Sequence, residues 1–384
     1  MRSGMIPASN SVTAIRTQSV QGLEIVALGG GRSNLASQPD DSAVTHLSGQ
    51  THCSLDLWDA ISEPAVVRPR VGRRSTVDIV NLSSEPIGRL HSWIPHGLAA
   101  ERVIFLPDAC PGKSPLPTGT AVITRQLDWR RFAISDCGCG MRLVRSSILP
   151  AELDLVRWNE LAERVRANKG RLGDLGGGNH FVDALAPYDD GPVHFLIHTG
   201  SRSESGHVDE LIDRPREFDR EFQRVVQWAG DNRARIHQEI GIVFGKTDLV
   251  LDLPHNTYEI LPDGGAIIRK GSVHLRPGEL SVIPSHMSGD VITVRATPKI
   301  ESILCSMSHG TGRKMSRGDC KPLADNFDFA ALRKSVLLPS GVQDASLRTE
   351  GPYAYRDLDE CLALIKGYVE EVTRFGVVAY MGHL

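Results

Sequence analysis

Residues 193–198 read Val-His-Phe-Leu-Ile-His, an apolar density that predicts a buried β-strand ending just before Thr199 and Gly200. Residues 216–242 then have the spacing of a long helix, with Gly230-Asp231 as a candidate break, and residues 249–253 predict another strand. Strands and helices follow one another without a regular βα repeat. We therefore expect an α+β fold in which mixed sheets are surrounded by helices.

The same patterns place further elements on both sides of this stretch. Short apolar runs bounded by turn residues predict strands at residues 102–106, 120–124, 132–135, 141–144, 266–268, 273–275, 280–283, 291–294, 303–307 and 377–380. Helical spacing predicts helices at residues 155–168, 329–337 and 358–375.

The N-terminal part of the chain differs from the rest in composition. Residues 1–74 are rich in Ser, Thr, Gln, Asn and Gly and lack sustained periodicity, which predicts a weakly ordered or peripheral extension. From residue 75 onward apolar runs are dense. We therefore predict a main domain over residues 75–384.

The composition of the chain limits the classes of function that it can have. The chain has 384 residues, 41% of them hydrophobic, and a formal net charge of −3, so any nucleic-acid site must be a local basic patch. Its seven cysteines lack the spacing of a disulfide framework. The apolar run at residues 23–28 is too short for a secretory signal or a membrane span. We expect a reduced, cytoplasmic protein that does not enter a membrane.

A cysteine-rich turn is the first candidate site. Residues 136–140, Asp-Cys-Gly-Cys-Gly, contain two glycines that allow a tight turn, and the spacing of Asp136 and Cys139 lets both face one metal ion. Taken alone, the segment is equally compatible with a buried structural turn whose cysteines are inert.

A glycine run is the second candidate site. Gly176 to Gly178 precede Asn179 and His180, and each glycine loses much backbone entropy on folding. Such a run is typical of backbone that approaches a ligand closely, for example a phosphate. A flexible linker is the alternative, but residues 180–182 lead directly into apolar sequence, which favours a functional loop.

Three more histidines, His198, His255 and His309, each close an apolar stretch. Small residues and arginines follow His198 and His309, and arginine pairs well with phosphate. A single histidine is more often structural than functional, and we interpret His194 as a core residue. Several distant segments that each deliver a His or a Cys beside glycine predict a metal site assembled from separate parts of the fold.

Together these motifs resemble the RtcB family of RNA ligases. The matching segments occur in the family's order, from about residue 77 to the C-terminus: 106–108 with 111–113, 136–140, 176–181, 198–202, 255–259, 269–271, 283–284, 308–317 and 352–357. In length the chain resembles the shorter family members that are linked to a release-factor homologue.

The resemblance implies one catalytic domain with a central metal cleft. It also implies a GTP- and Mn²⁺-dependent ligase that joins an RNA 3′-phosphate or 2′,3′-cyclic phosphate to a 5′-hydroxyl through a guanylylated histidine, in RNA repair or tRNA splicing. The implied nucleophile is His309, and the implied ligands of two manganese ions are Asp136, Cys139, His180, His198 and His255. Nucleotide binding is expected at Asn179, Asp183, Ser308, Gly310, Gly312 and Arg313, and RNA binding at Lys113, Arg202, Arg269, Lys270 and Arg317. The expected partners are GTP and RNA with broken ends, with a release-factor-like or activating protein as a further candidate.

The chain departs from the family pattern at several positions. Cys110 stands where a histidine is usual, Asp183 where a glutamate is usual, and residues 285–287 differ. The family usually ends in Lys-Gly, whereas this chain ends at residues 381–384 in Met-Gly-His-Leu. Loss of a lysine that hydrogen-bonds the nucleotide would weaken binding by about 1–3 kcal/mol. These departures affect nucleotide choice and rate more than the metal ligands, which are all present.

Two other functions are compatible with the sequence. A metal-dependent phosphoesterase that opens cyclic RNA ends would use the same metal ligands without needing His309 as a nucleophile. A non-catalytic protein associated with RNA or the ribosome, with a residual metal site, would explain the altered C-terminus.

Overall fold

The strand predicted at residues 193–198 lies in the interior of a seven-stranded sheet in the computed structural model, which describes residues 77–112 and 114–382. The strands of those residues are β1 (Asp78–Asn81), β2 (Ala100–Cys110), β3 (Thr118–Thr124), β4 (Gly140–Ser146), β5 (Phe181–Pro187), β6 (His194–Thr199), β7 (Thr247–Pro254), β8 (Asn256–Ile260), β9 (Ala266–Lys270), β10 (Ser272–His274), β11 (Leu280–Pro284), β12 (Asp290–Ala296), β13 (Ser306–Ser308) and β14 (Val369–Gly382). The α-helices are α1 (Ile87–Trp93), α2 (Leu155–Ala167), α3 (Pro215–Phe244), α4 (Arg317–Ala324), α5 (Phe329–Ser335), α6 (Asp344–Leu347) and α7 (Leu358–Leu364). Short 3-10 helices occur at Trp129–Phe132, Pro150–Glu152, Arg202–Ser205, Val208–Leu211, Pro298–Ile303 and Pro352–Ala354.

The strands form three sheets. The largest has the order β11-β12-β14-β5-β6-β4-β7, and all of its neighbouring strands are antiparallel. A five-stranded sheet has the order β1-β2-β3-β9-β8, with only the β1–β2 pair parallel, and β10 pairs with β13. Pairing that is antiparallel everywhere except at the single connection β1-α1-β2 confirms the predicted α+β class.

The seven-stranded sheet is covered on both faces. On one face α2 and α3 pack against it, and the Trp158 ring stacks on Phe195 with centroids 6.4 Å apart. Leu196 belongs to the core on the opposite face. Because side chains alternate along a strand, His198 shares the face of Leu196 and so points away from α2 and α3. The His198 side chain at the end of β6 therefore lies on the face of the sheet opposite α2 and α3.

Most of the predicted elements are observed, and the exceptions have physical causes. The predicted strand at 132–135 is wrong, because a 3-10 helix ends at Phe132 and a turn follows. The predicted strand at 303–307 is reduced to β13, because Leu304 and Cys305 adopt left-handed backbone conformations with φ of 58° and 48°. The helix predicted at 358–375 ends at Leu364, and β14 begins at Val369.

Helix α3 is continuous through Gly230, so the candidate break does not occur. A glycine inside a helix costs about 1 kcal/mol relative to alanine. Burial of Ala229 and Ile236 on either side of Gly230 offsets that cost. The helix ends at Phe244, and the residue after it, Gly245, has a φ of 85° that suits glycine.

The predicted extension at residues 1–74 lies outside the described residues, so its boundary stays a prediction. Among the residues that the structure describes, no helix has both the length and the apolar character needed to cross a bilayer.

Candidate active site

The loop before β4 brings Asp136 and Cys139 to the end of the seven-stranded sheet. Asp136 has a φ of 52°, and the Cys139 N–H donates to its carbonyl over 3.2 Å. A Cβ on Gly138 would lie 2.7 Å from the Cα of Val226 in α3, and a Cβ on Gly140 would lie 2.6 Å from a β7 carbonyl. The two glycines are therefore needed because the loop packs directly on α3 and β7.

Three imidazoles surround the Cys139 sulfur. His180 stands immediately before β5 and its Nε2 lies 3.6 Å from Cys139 Sγ, while His198 in β6 has its Nε2 3.4 Å from the same sulfur. His255 lies between β7 and β8, and its backbone N–H donates to the Cys139 carbonyl over 2.8 Å. The rings of His198 and His255 have centroids 5.1 Å apart. Strand ends from distant parts of the chain thus gather around one thiol.

The hydrogen bonds of two of these rings fix which nitrogen carries the proton. His180 Nδ1 lies 3.1 Å from the Leu175 carbonyl, and His198 Nδ1 lies 3.0 Å from the Asn179 carbonyl. A carbonyl can only accept, so each Nδ1 carries the hydrogen and each Nε2 presents a lone pair. A backbone carbonyl that fixes the second nitrogen is the usual arrangement of metal-binding histidines.

The ligand atoms form two groups, each with its atoms within 4.8 Å of one another. One group contains Cys139, His198 and His255, and the other contains Asp136, Cys139 and His180. The buried Nδ1 of His255 has no hydrogen-bond partner among the described residues. An orphaned buried nitrogen beside a thiol and a second imidazole fits a divalent metal ion, because imidazole and thiolate suit borderline and softer transition metals.

Burial sets the charge of these groups. It lowers the pKa of His198 and of His255 well below the usual value, with neighbouring histidines as the next cause, and it also lowers the pKa of His180. The imidazoles are therefore neutral near pH 7, as metal ligation requires. Burial first, and Asp136 second, raises the pKa of the Cys139 thiol well above its usual value, so a thiolate there needs a cation to stabilise it.

His309 follows β13 and faces this cluster without belonging to either group. Its ring centroid lies 4.4 Å from that of His255. Its Nδ1 lies 2.7 Å from Asp108 Oδ2 and 2.8 Å from the Gly271 carbonyl, so Nδ1 carries the hydrogen and Nε2 is unprotonated in the neutral ring. A Cβ on Gly312 would lie 2.6 Å from the Cα of Asp108, so only glycine allows the loop after His309 to pass this carboxylate.

Asp108 was not assigned a role from sequence. It is fully buried in β2, within an otherwise apolar run that a charged residue would normally avoid. That departure from the strand's apolar pattern was the available signal, but its partner His309 is 201 residues away.

A cavity of about 300 Å³ opens in front of these residues. Of the predicted site residues it is lined by Asp136, Cys139, Asn179, Asp183, His198, His255, Lys270, His309, Gly310, Gly312, Arg313 and Arg317. His180 lies behind Cys139 and does not line it. Ser308 is buried in β13 with its hydroxyl unpartnered among the described residues.

The predicted RNA-binding cations fall into different environments. Lys270 and Arg317 line the cavity. Arg269 is 3% exposed and its guanidinium contacts Ser306, the Leu304 carbonyl and Glu259 inside the protein. Arg202 packs over Gly176 and lies 3.6 Å from Asp174. Lys113 lies outside the described residues.

One wall of the cavity joins the predicted Arg313, Arg317 and Asp183 to Glu350, Tyr355 and Tyr380, which were given no role from sequence. Arg313 donates to the Tyr355 hydroxyl over 3.2 Å and lies 3.5 Å from the Glu350 carboxylate. Arg317 lies 3.9 Å from the same carboxylate. Tyr380 of β14 is 3% exposed and pairs in register with Asp183 of β5. Two arginines and two tyrosines therefore line the part of the cavity where a charged or aromatic ligand would contact them.

Asp183 provides a test of how this wall is built. It is 2% exposed, its Oδ1 has no hydrogen-bond partner among the described residues, and burial raises its pKa well above the usual value. The folded protein holds the carboxyl proton of Asp183 more tightly than the unfolded chain does, so the contribution of Asp183 to stability falls as pH rises above about 4.

We expect the stability of Asp183→Asn relative to the natural chain to improve from pH 5 to pH 8, by at most about 1.4 kcal/mol per pH unit. Denaturant unfolding at several pH values measures this, with the exposed Asp189→Asn as the control. If the free energies of unfolding of the natural chain and of Asp183→Asn change in parallel with pH, the buried neutral carboxyl is contradicted.

The fold and the site define an α+β protein in which strand ends gather a candidate metal cluster opposite a hydrogen-bonded histidine. A family model described as "tRNA-splicing ligase RtcB" matches residues 216–382. Over these residues the chain is similar to the RtcB family.

Named relatives match a larger share of the chain than the family model does. The chain is 28% identical over 322 residues to "RNA-splicing ligase RtcB2" of Escherichia coli strain ATCC 25922, covering 69% of this chain and 83% of that protein. It is 26% identical over 247 residues to "RNA-splicing ligase RtcB" of Escherichia coli K12, covering 53% of this chain and 59% of that protein. It is 25% identical over 283 residues to "tRNA-splicing ligase RtcB" of Nanoarchaeum equitans, covering 55% of this chain and 59% of that protein. The match therefore spans most of the first relative and about three fifths of the other two.

Proposed function

We propose that this chain is an RNA ligase that joins an RNA 3′-phosphate or 2′,3′-cyclic phosphate end to a 5′-hydroxyl, with GTP as the activating nucleotide. Similarity to a family whose named members are RNA-splicing ligases supports the reaction class. The observation that carries the proposal is His309, held by Asp108 with its ring 4.4 Å from His255 of the candidate metal cluster.

Two manganese ions are the proposed metal cofactor. Cys139, His198 and His255 would hold one ion, and Asp136, Cys139 and His180 would hold the other, with the Cys139 thiolate shared. Bound there, divalent cations would neutralise charge on the phosphates of the nucleotide and the RNA end. The neutral imidazoles and the fixed Nδ1 hydrogens of His180 and His198 prepare the ligands before any ion arrives.

His309 is the proposed nucleophile. Its Nε2 lone pair attacks the α-phosphorus of GTP, a nitrogen–phosphorus bond forms, and the bond to the bridging oxygen breaks so that pyrophosphate leaves. Positive charge develops on the ring during attack. Asp108, 2.7 Å from Nδ1, stabilises that charge, and the Gly271 carbonyl keeps Nε2 aimed at the cavity. The neutral histidine needs no general base, because its Nδ1 contacts place the hydrogen there and leave the lone pair on Nε2.

The next two steps transfer the activated group. An oxygen of the RNA 3′-phosphate attacks the phosphorus on His309, and the nitrogen–phosphorus bond breaks, which leaves GMP on the RNA end. The 5′-hydroxyl of the second RNA end then attacks the 3′-phosphate, loses its proton and expels GMP. A 2′,3′-cyclic phosphate would first be opened by water to give the 3′-phosphate.

The remaining cavity residues would bind the substrates. Arg313 and Arg317 provide guanidinium groups for phosphate oxygens, and Lys270 adds an ammonium group. Asn179, whose carbonyl orients His198, links the glycine loop to the metal cluster. Asp183, with an unpartnered carboxyl oxygen in the cavity wall, would hydrogen-bond the nucleotide.

Incubation with Mn²⁺ and GTP labelled at the α-phosphate tests this function directly. We expect label to remain on the denatured chain, to map to the peptide that contains His309, and to be released by RNA bearing a 3′-phosphate. GTP labelled at the γ-phosphate should leave no label, because that phosphate departs with pyrophosphate. Absence of α-label together with absence of joined RNA would refute the ligase.

A further inference from the structure

Two adjacent polar side chains in the middle of α3 are buried. Asn232 is 0% exposed and Arg233 is 2% exposed, although α3 supplies no residue to either metal group. A guanidinium is costly to bury unless its hydrogen bonds are satisfied, so its partners show what it holds in place.

Arg233 contacts three separate segments of the fold. Its Nε donates to Asp252 Oδ1 over 2.6 Å. Its Nη1 donates to the Gly138 carbonyl and to the Thr199 carbonyl, each over 3.1 Å. One side chain thus ties together the loop before β4, the end of β6 and the end of β7.

Each of these contacts adjoins one member of the first metal group. The Gly138 carbonyl immediately precedes Cys139, the Thr199 carbonyl immediately follows His198, and the bonded carboxylate lies three residues before His255. Arg233 therefore contacts every segment that delivers a ligand to this group.

Asn232 makes its shortest contacts toward the second group, although its Nδ2 also lies 3.4 Å from the Gly200 carbonyl and 3.5 Å from Thr199 Oγ1 at the end of β6. Its Oδ1 accepts from the Gly173 N–H over 2.6 Å, and its Nδ2 donates to the Asp174 carbonyl over 2.9 Å. The next carbonyl in that loop, of Leu175, accepts from His180 Nδ1 over 3.1 Å. Asn232 thus holds the loop that orients His180.

We propose that Asn232 and Arg233 are positioning residues, each for a different one of two metal ions. Arg233 positions His198 and His255, which belong to the first group alone, and adjoins the shared Cys139, whereas Asn232 positions His180. The inference rests on the proposed metal centre and adds to it a division of labour between two consecutive residues of one helix.

Arg142 offers a matched control. Its guanidinium donates to Asp252 Oδ2 over 2.6 Å, so it shares the carboxylate that Arg233 uses. Among its contacts in the described part of the chain, neither the Gly138 nor the Thr199 carbonyl occurs. Arg142→Gln therefore tests the ion pair without the contacts to the ligand segments.

The experiment titrates Mn²⁺ into the full chain against a competing chelator. Electron paramagnetic resonance spectra of the bound Mn²⁺ then distinguish paired ions from single ions. Removal of an outer partner of a metal ligand typically weakens binding 10–100-fold. We expect Arg233→Lys to weaken the ion of His198 and His255 by that factor, to weaken the second ion less, and to resemble His255→Ala. Asn232→Ser should weaken the other ion and resemble His180→Ala, whereas Arg142→Gln should retain both ions.

Each outcome decides the inference. Equal loss of both ions in Arg233→Lys, unchanged binding in that variant, or the same defect in Arg142→Gln would overturn the division of labour and leave the metal centre intact. No Mn²⁺ binding by the natural chain would overturn the metal centre and the inference together. If Arg233→Lys does not fold, Arg233→Gly with added guanidinium ion replaces it. Recovery of one-ion binding with guanidinium supports the positioning role, and no recovery refutes it.

Discussion

Replacement of His309 with alanine is expected to reduce transfer of α-label from GTP to the chain by at least about 10³-fold, because the only proposed nucleophile is removed. The variant should still bind two manganese ions, since His309 belongs to neither metal group. Retained metal binding would show that the cluster is intact and that the lost step is chemical. The measurements are label on the denatured chain, RNA joining, and a Mn²⁺ titration.

The same variant separates ligation from hydrolysis. A phosphoesterase that shares the metal cluster would open 2′,3′-cyclic RNA ends at an unchanged rate in His309→Ala, and its natural form would never carry the label. Asp108→Asn serves as a graded comparison. It leaves the nucleophile in place but removes the charge that stabilises the developing imidazolium, so labelling should be slowed rather than lost. Full labelling of His309→Ala would contradict the proposed nucleophile.

Strand positions were predictable because the signal is local. The apolar run at residues 193–198 corresponds to β6, and the spacing of residues 155–168 corresponds to α2. These two elements pack against one another on one face of the sheet. Such patterns depend on which faces are buried, and that information lies within a few consecutive residues. The α+β class followed from the order of these elements.

The C-terminal helix prediction failed where long-range pairing outweighed local spacing. Leu358, Cys361 and Ile365 are buried at helical intervals, so the pattern extends naturally past the end of α7. Gly367, with a φ of 88°, turns the chain instead, and β14 then pairs with both β12 and β5. An interior strand of a seven-stranded sheet hydrogen-bonds to a neighbour on each side, and this pairing outweighs the local helical spacing.

The histidines were identifiable from sequence, but their partners were not. His309 and Asp108 are 201 residues apart, and no local pattern joins them. The same limitation applies to the adjacent pair Arg269 and Lys270. Charge suggested both for RNA, whereas strand alternation buries the first among protein partners and leaves the second at the cavity. Assigning a cation to a site therefore required the face of β9 as well as its sequence.

Replacement of Cys139 is expected to have the largest effect on metal binding. Among the described residues, Cys139 is the one member common to both groups, so Cys139→Ala should weaken both ions by more than about 100-fold. His255→Ala should weaken mainly one. Cys137→Ala is the matched control, because it removes a buried thiol two residues away that belongs to neither group. A Mn²⁺ titration of the three variants measures the difference, and two retained ions in Cys139→Ala would refute a shared thiolate.

The pH dependence of metal binding gives this prediction a second readout. Burial raises the pKa of the Cys139 thiol, so without a cation the thiol keeps its proton near pH 7. An ion that binds the thiolate must then displace that proton, and its affinity should rise with pH by up to about tenfold per unit while pH stays below the thiol pKa. In Cys139→Ala the residual affinity should lose this slope, because the lowered pKa values of His198 and His255 leave those ligands already deprotonated. A steep slope that survives in the variant would place the displaced proton on another group and remove Cys139 from the centre of the site.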